Sequence, residues 1–321
     1  MVRAAVTAWR RALGAAVAGL LVIGLGGCAT DASAARFVAP SASARPRPTV
    51  ANAEPWLLEA RRNSEPGKGV WTSMTLPGRR TGYQLPAWVY VPDEYFDPEQ
   101  PDRRFPVVLL LAGFPGAIEN WDKQGHVLPI LDQMMAEKRI PPMILVSASQ
   151  NPEPTRDSEC VDAVAGAKAD TYLSQDVPEA IGAHLRVTQD RNGWSMMGYS
   201  TGGYCGVALA LRHSERFGSA VSLDGYFAPA IDKSTGDLFK GDAAVQRSYT
   251  PLQTIRDRRP AALRFYLVVG DAEAKARNEA RTFARAVQAP DTVTVVEVPG
   301  GHNWDTWNRA LPAALTWLST G

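Results

Sequence analysis

Val107-Val108-Leu109-Leu110-Leu111 and Met143-Ile144-Leu145-Val146 are apolar at every position. A strand with one wet face alternates, so a strand with no polar position is expected to be covered on both faces. Helical patterns at 128–138 and 176–185 lie between these runs and the next strand, 194–197. A helix over 201–213, strands at 219–223 and 263–269, a helix over 274–287, a strand at 293–298 and a helix from 307 to 318 follow. Leu85, Ala87, Val89 and Val91 alternate with polar or aromatic neighbours, which predicts a half-exposed strand near one edge. Such alternation of strand and helix implies an α/β fold: a mostly parallel sheet with helices on both faces. Sheets of this kind carry their sites at the carboxyl ends of the strands.

Gly198-Tyr199-Ser200-Thr201-Gly202 joins the 194–197 strand to the 201–213 helix. This is the G-x-S-x-G nucleophile elbow in the strand–turn–helix context it requires, and it narrows the fold to an α/β-hydrolase. The turn is so sharp that bulky side chains two residues before and after the serine are excluded, and both positions are glycine. Outside that context the same five residues would be an ordinary turn with an exposed serine.

A serine hydroxyl is a weak nucleophile until a neighbouring base takes its proton. His213 lies about 20 Å from Ser200 along the helix, where its charge suits the last turn. His126 and His184 precede the serine, whereas this fold orders its residues serine, acid, histidine. His302, in Pro299-Gly300-Gly301-His302-Asn303-Trp304 after the last strand, is the one histidine correctly placed. For the acid, Glu273 and Asp271 both lie at the carboxyl end of the 263–269 strand, and Asp224 follows the 219–223 strand. Glu273 is favoured among the three, and Asp271 could instead cap the helix that follows it. An oxyanion needs two backbone N–H groups. Thr201 supplies one, and the loop Ala112-Gly113-Phe114-Pro115-Gly116 supplies the other; Pro115 has no N–H, so Phe114 is the expected donor.

These segments resemble the esterase family that includes esterase D and the antigen 85 mycolyltransferases. The resemblance runs from about Trp71 to Leu318. It rests on Ala112-Gly113-Phe114 followed by Trp121, the elbow, Leu211-Arg212-His213, and above all Gly300-Gly301-His302-Asn303-Trp304-Asp305-Thr306-Trp307. It implies an acyl-serine intermediate, a carboxylic ester or thioester substrate and no cofactor, and it places the acid on Glu273. The chain departs from many members at Ala112, where they carry His or Asp, and at Asp224, where serine is frequent.

The first residues read as an address. Arg3, Arg10 and Arg11 precede a short Ala/Gly/Leu/Val stretch ending in Leu25-Gly26-Gly27-Cys28. That stretch is shorter than the roughly 20 apolar residues a span needs. It resembles a bacterial lipobox with Cys28 as the lipidated residue, so the expected anchor is a membrane lipid; Ala32-Ser33-Ala34 would instead suit ordinary secretion. Residues 29–54, rich in Ala, Ser, Pro and Arg, read as a disordered tether, with the folded domain at 55–321. In an oxidising compartment Cys160 and Cys205 would remain to pair with each other, the other reading being two buried thiols. Between Gly225 and Ala262 there is room for a small cap only.

The 34 basic and 33 acidic residues leave a net charge of +1. No basic run interleaved with aromatics is present, which argues against a nucleic-acid partner. Four histidines and three cysteines without metal-site spacing argue against a metal centre. The expected partner is a small-molecule, lipid or glycan ester.

Overall fold

The two all-apolar runs become neighbouring strands in the interior of one eight-stranded sheet. The structure, a computed structural model, describes residues 53–320. The expected signal, Cys28 and residues 29–52 of the expected tether lie outside the described residues. The strands are β1 (Val70–Pro77), β2 (Gln84–Val91), β3 (Val107–Leu111), β4 (Ile144–Ala148), β5 (Trp194–Tyr199), β6 (Ser219–Leu223), β7 (Arg264–Gly270) and β8 (Thr292–Val298). Their order is β1-β2-β4-β3-β5-β6-β7-β8. β1 and β2 pair antiparallel, as do β2 and β4, and every pair from β4 to β8 is parallel.

The helices are α1 (Pro55–Arg62), α2 (Asn120–Lys123), α3 (Val127–Ala136), α4 (Ala169–Thr171), α5 (Val177–His184), α6 (Thr201–Arg212), α7 (Ala243–Ser248), α8 (Pro251–Asp257), α9 (Ala274–Ala286) and α10 (Trp304–Leu318). They divide between the two faces of the sheet. Val107, Leu109 and Leu111 of β3 pack with residues of α5, α6 and α9, such as Ile181, Val207 and Phe283. Val108 and Leu110 point the other way, to Leu131 and Met134 of α3 and Leu311 and Leu315 of α10. The double burial explains why the run carries no polar residue. This is the α/β-hydrolase architecture, with a mostly parallel sheet between two helical layers.

The alternating strand, β2, lies near one edge as expected, with β1 outside it. The pattern of β1, with Thr72, Ser73 and Thr75 among its apolar residues, has no clean period. The expected helix at 176–185 is α4, a π-helical turn over Tyr172–Asp176 and then α5. The fold also begins before residue 55. Ala53 is buried, and the Glu54 carboxylate lies 2.7 Å from His184 Nδ1. The segment between Gly225 and Ala262 folds down tightly, with Phe227 stacked on Phe283 and Leu238 and Phe239 packed with Val161 and Tyr249. No helix among the described residues is long and apolar enough to cross a membrane.

The long connection from β4 to α4 is fastened to α6 at two points, one midway along it and one at its far end. Cys160 is disulfide-bonded to Cys205 with 5.6 Å between their Cα atoms. Asp170 accepts from Arg212 Nε at 2.7 Å and bonds His213 Nε2. Burial works against the Asp170 charge, but His213 and Arg212 outweigh it and hold its pKa below the ordinary carboxylate range. The bridge closes a separation of 45 residues, which in the chain-entropy model stabilises by about 4 kcal/mol. Cys160→Ser is therefore expected to lower the melting temperature by on the order of 10 °C, and reductant should do the same to the wild type but not to the variant. Calorimetry with and without reductant checks both.

Candidate active site

β5 ends and α6 begins with a single residue between them. That residue, Ser200, has φ 54° and ψ −123°, a conformation that costs free energy in a residue with a Cβ and persists only where its surroundings enforce it. Those surroundings are backbone. A Cβ on Gly198 would lie 2.0 Å from the carbonyl oxygen of Gly202, and one on Gly202 would lie 2.1 Å from that of Leu111. Both glycines of the motif are thus required by close approach, as expected. The Ser200 N–H donates to the Leu223 carbonyl at 2.9 Å, tying the elbow to β6.

The turn presents Ser200 Oγ to the loop after β8. His302 Nε2 lies 2.9 Å from it. Ser200 is half-buried and His302 exposed at the mouth of the site. The other three histidines lie elsewhere: His126 is an exposed residue before α3, His184 pairs with Glu54, and His213 pairs with Asp170. Among the described residues the N–H groups of Thr201 and Phe114, the expected oxyanion donors, donate to no protein acceptor. The approach of Gly202 to Leu111 and Ala112 brings the Phe114 loop against the elbow.

The three candidate carboxylates do different work. Asp224 is 3 % exposed; it accepts from the Gly270 N–H at 2.7 Å and from Trp307 Nε1 at 2.7 Å. Burial raises its pKa, and these two donors pull it back. Trp307 in turn meets the His302 ring edge-to-face at 5.2 Å. Asp271 is exposed and accepts from the Gly300 N–H at 3.0 Å, which fixes the loop two residues before His302. It does not cap α9, whose N-cap position is Glu273. The Glu273 carboxylate makes no hydrogen bond among the described residues, and its Oε1 lies 3.6 Å from the Cβ position of Gly301. Of the three, it alone accepts no hydrogen bond among the described residues. Among the described residues no carboxylate hydrogen-bonds His302 Nδ1.

Behind the elbow, Tyr199 packs on Trp121, Trp304 and Trp307 at centroid distances of 5.4, 4.5 and 4.9 Å. This cluster joins the segment after the Phe114 loop to the start of α10. Asn303 caps α10 by accepting from the Thr306 N–H at 3.1 Å, so the helix begins three residues earlier than its sequence pattern suggested. Two clefts border the segment that follows β6. One of about 760 Å³ is lined by Tyr226, Phe227, Leu252 and residues of α9; the other, of about 350 Å³, includes Asp157 and Ser158. Sequence reading singled out neither Asp157 nor Glu159 and placed Tyr226 only in the small cap; the three bond each other and the Thr201 hydroxyl. They lie in aperiodic loops, and the only pointer to them is the neighbouring Cys160.

The model of the Esterase family, described as "Putative esterase", matches residues 78–318. The chain belongs to the Esterase family. A relative from Corynebacterium glutamicum, an uncharacterized protein, is 26% identical over 243 residues, 73% of this chain and 56% of that protein. The chain thus spans little more than half the length of that relative. The MPT51 antigen of Mycobacterium leprae is 36% identical over 72 residues, 22% of this chain and 23% of that protein. An S-formylglutathione hydrolase from Agrobacterium tumefaciens superposes with a TM-score of 0.67 at 19% identity, covering 80% of this chain and 97% of the other. That likeness shares the α/β-hydrolase fold with this member of the Esterase family.

For this Esterase-family site, Glu273→Gln is expected to lower kcat well beyond Asp271→Asn. Asp224→Asn should chiefly lower stability, by about 1–3 kcal/mol, because its amide turns one donor toward Gly270 N–H or Trp307 N–H. Steady-state kinetics and denaturant titration of the three variants check the ranking.

Proposed function

We propose that the protein is an exported serine carboxylic-ester hydrolase that works through an acyl-serine intermediate. The single observation that carries this reading is the 2.9 Å contact between Ser200 Oγ and His302 Nε2 at the strained elbow. His302 takes the hydroxyl proton as Ser200 Oγ bonds to the ester carbonyl carbon. The carbonyl oxygen becomes an oxyanion, and the N–H groups of Thr201 and Phe114 stabilise it. Collapse expels the alcohol, which takes the proton back from His302. Water then repeats the sequence on the acyl-serine and releases the acid. Glu273 stabilises the imidazolium from the Nδ1 side. Every step moves only protons and an acyl group, so the chemistry calls for no cofactor.

A second reading is acyl transfer, in which a sugar or lipid hydroxyl replaces water on the acyl-serine. The MPT51 match, with the likeness to the antigen 85 mycolyltransferases, favours it. Release of free acid with and without sugar acceptors, followed by mass spectrometry, separates the two. The substrate is in either case a small-molecule, lipid or glycan ester.

Export is supported by the basic n-region, the apolar stretch and Cys28 in sequence, and by a disulfide of the kind found in oxidising compartments. Cys28 is taken as the lipidated residue and residues 29–52 as the tether to the membrane. The mature wild-type protein should begin at Cys28 with a diacylglyceryl mass; an unmodified start near Ala35 would mean ordinary secretion.

Ser200→Ala should abolish covalent labelling by a fluorophosphonate and lower ester turnover by several orders of magnitude. His302→Ala should be nearly as damaging, while His126→Ala, His184→Ala and His213→Ala should retain most activity in protein that remains folded. Labelling that survives in Ser200→Ala would remove Ser200 from the mechanism.

A further inference from the structure

Thr201 bears one expected oxyanion donor, and its side chain enters a buried polar chain. Its hydroxyl lies 3.4 Å from Asp157 Oδ2 and 3.2 Å from the Tyr226 hydroxyl. Tyr226 in turn bonds Glu159 Oε1, and Glu159 Oε2 accepts from the Ala230 N–H at 2.9 Å. Asp157 is 4 % and Glu159 1 % exposed. Such burial of two carboxylates is costly and calls for a reason.

The chain is fixed to one face of α6. Thr201, Tyr204 and Cys205 share that face by their spacing. The Tyr226 ring stacks on Tyr204 at 5.0 Å and 11°, and Cys160, next to Glu159, is bonded to Cys205. The group is therefore built around the first turn of the nucleophile helix.

We propose that Glu159, Tyr226 and Asp157 are positioning residues that hold Thr201, and with it the N–H beside the nucleophile, in the orientation an oxyanion needs. The inference rests on Ser200 acting as the nucleophile.

Counting donors and acceptors gives the chain two settings. With Glu159 protonated, its O–H donates to Tyr226, Tyr226 donates to Thr201, and Thr201 donates to Asp157. With Glu159 ionised, Tyr226 must donate to the carboxylate, and the Thr201 hydroxyl loses its donor. The groups facing Glu159 are Asp157 on its own loop, Tyr226 and the Ala230 N–H from the segment after β6, Asp232 beyond that, and Thr201 and Tyr204 on α6. Neither buried carboxylate forms a salt bridge among the described residues; Arg156 pairs with Glu153 instead. Burial, aided by Asp157 and Asp232, pushes the Glu159 carboxyl up to about 8. The setting in which Thr201 receives a bond therefore prevails at neutral pH.

The test measures the rate of fluorophosphonate labelling of the full-length protein, and kcat on p-nitrophenyl acetate, from pH 6 to about 10. Wild type should lose rate above about pH 8. Glu159→Gln, whose amide donates as the protonated acid does, should keep the neutral rate and lose this alkaline limb. Tyr226→Phe should lower kcat about three- to tenfold with KM nearly unchanged, the size of one lost hydrogen bond. Melting curves supply a separate readout. Burial holds the folded-state pKa above the ordinary 4.5, so wild type loses stability as pH rises from there through about 8. The Gln variant's advantage in melting temperature should grow over that interval and then level off. A wild type without an alkaline limb, or a limb unchanged in Glu159→Gln, overturns the inference while leaving the nucleophile intact. Failure of wild type to label at all overturns the nucleophile reading itself.

Discussion

The carbonyl oxygens of Leu111 and Gly202 approach so closely to the positions where side chains would begin that β3, β5 and α6 can meet only through bare backbone. Everything at the site is referred to that meeting. It forces Ser200 into its strained conformation, turns the hydroxyl away from the sheet and leaves the Thr201 N–H without a partner among the described residues. It also draws the Phe114 loop, which continues β3, alongside the elbow. The parallel sheet contributes rigidity: six neighbouring strands end on one side, and their loops inherit that common origin. A nucleophile carried on a loop would be less closely held.

The histidine side of the site is organised by carboxylates in supporting roles. Asp224 joins the end of β6 to that of β7 through Gly270 and aligns the indole of Trp307. Asp271 joins the end of β7 to the His302 loop through Gly300. Both Asp224 oxygens are engaged and one of Asp271's is, whereas the Glu273 carboxylate accepts no hydrogen bond among the described residues. Three acids at neighbouring strand ends thus separate into two that shape the loop and one, Glu273, that makes no hydrogen bond among the described residues.

Much of this could be read from the chain because its signals are local. The apolar runs of β3 and β4, the glycines around Ser200 and the glycines before His302 each follow from a short-range rule. The antiparallel β1 lacked such a signal, since its threonines and serine break the period without breaking the strand. The roles of Asp224 and Asp271 depend on partners 46 and 29 residues away, and no spacing rule reaches that far. Glu54 was assigned to the tether by composition, whereas its place is set by His184, which composition ignores. The chain from Glu159 to Thr201 is the extreme case. It unites two aperiodic loops and a helix, and its residue types are unremarkable until they are brought together.

The double fastening of the β4–α4 connection along α6 has a mechanical consequence. With Cys160 held at Cys205 and Asp170 held at Arg212 and His213, the loop runs beside the helix like a splint. It has little independent motion, and any displacement of α6 carries the loop with it. The loop and the helix thus behave as one body, and the loop's contour is set by the fold and its two fastenings.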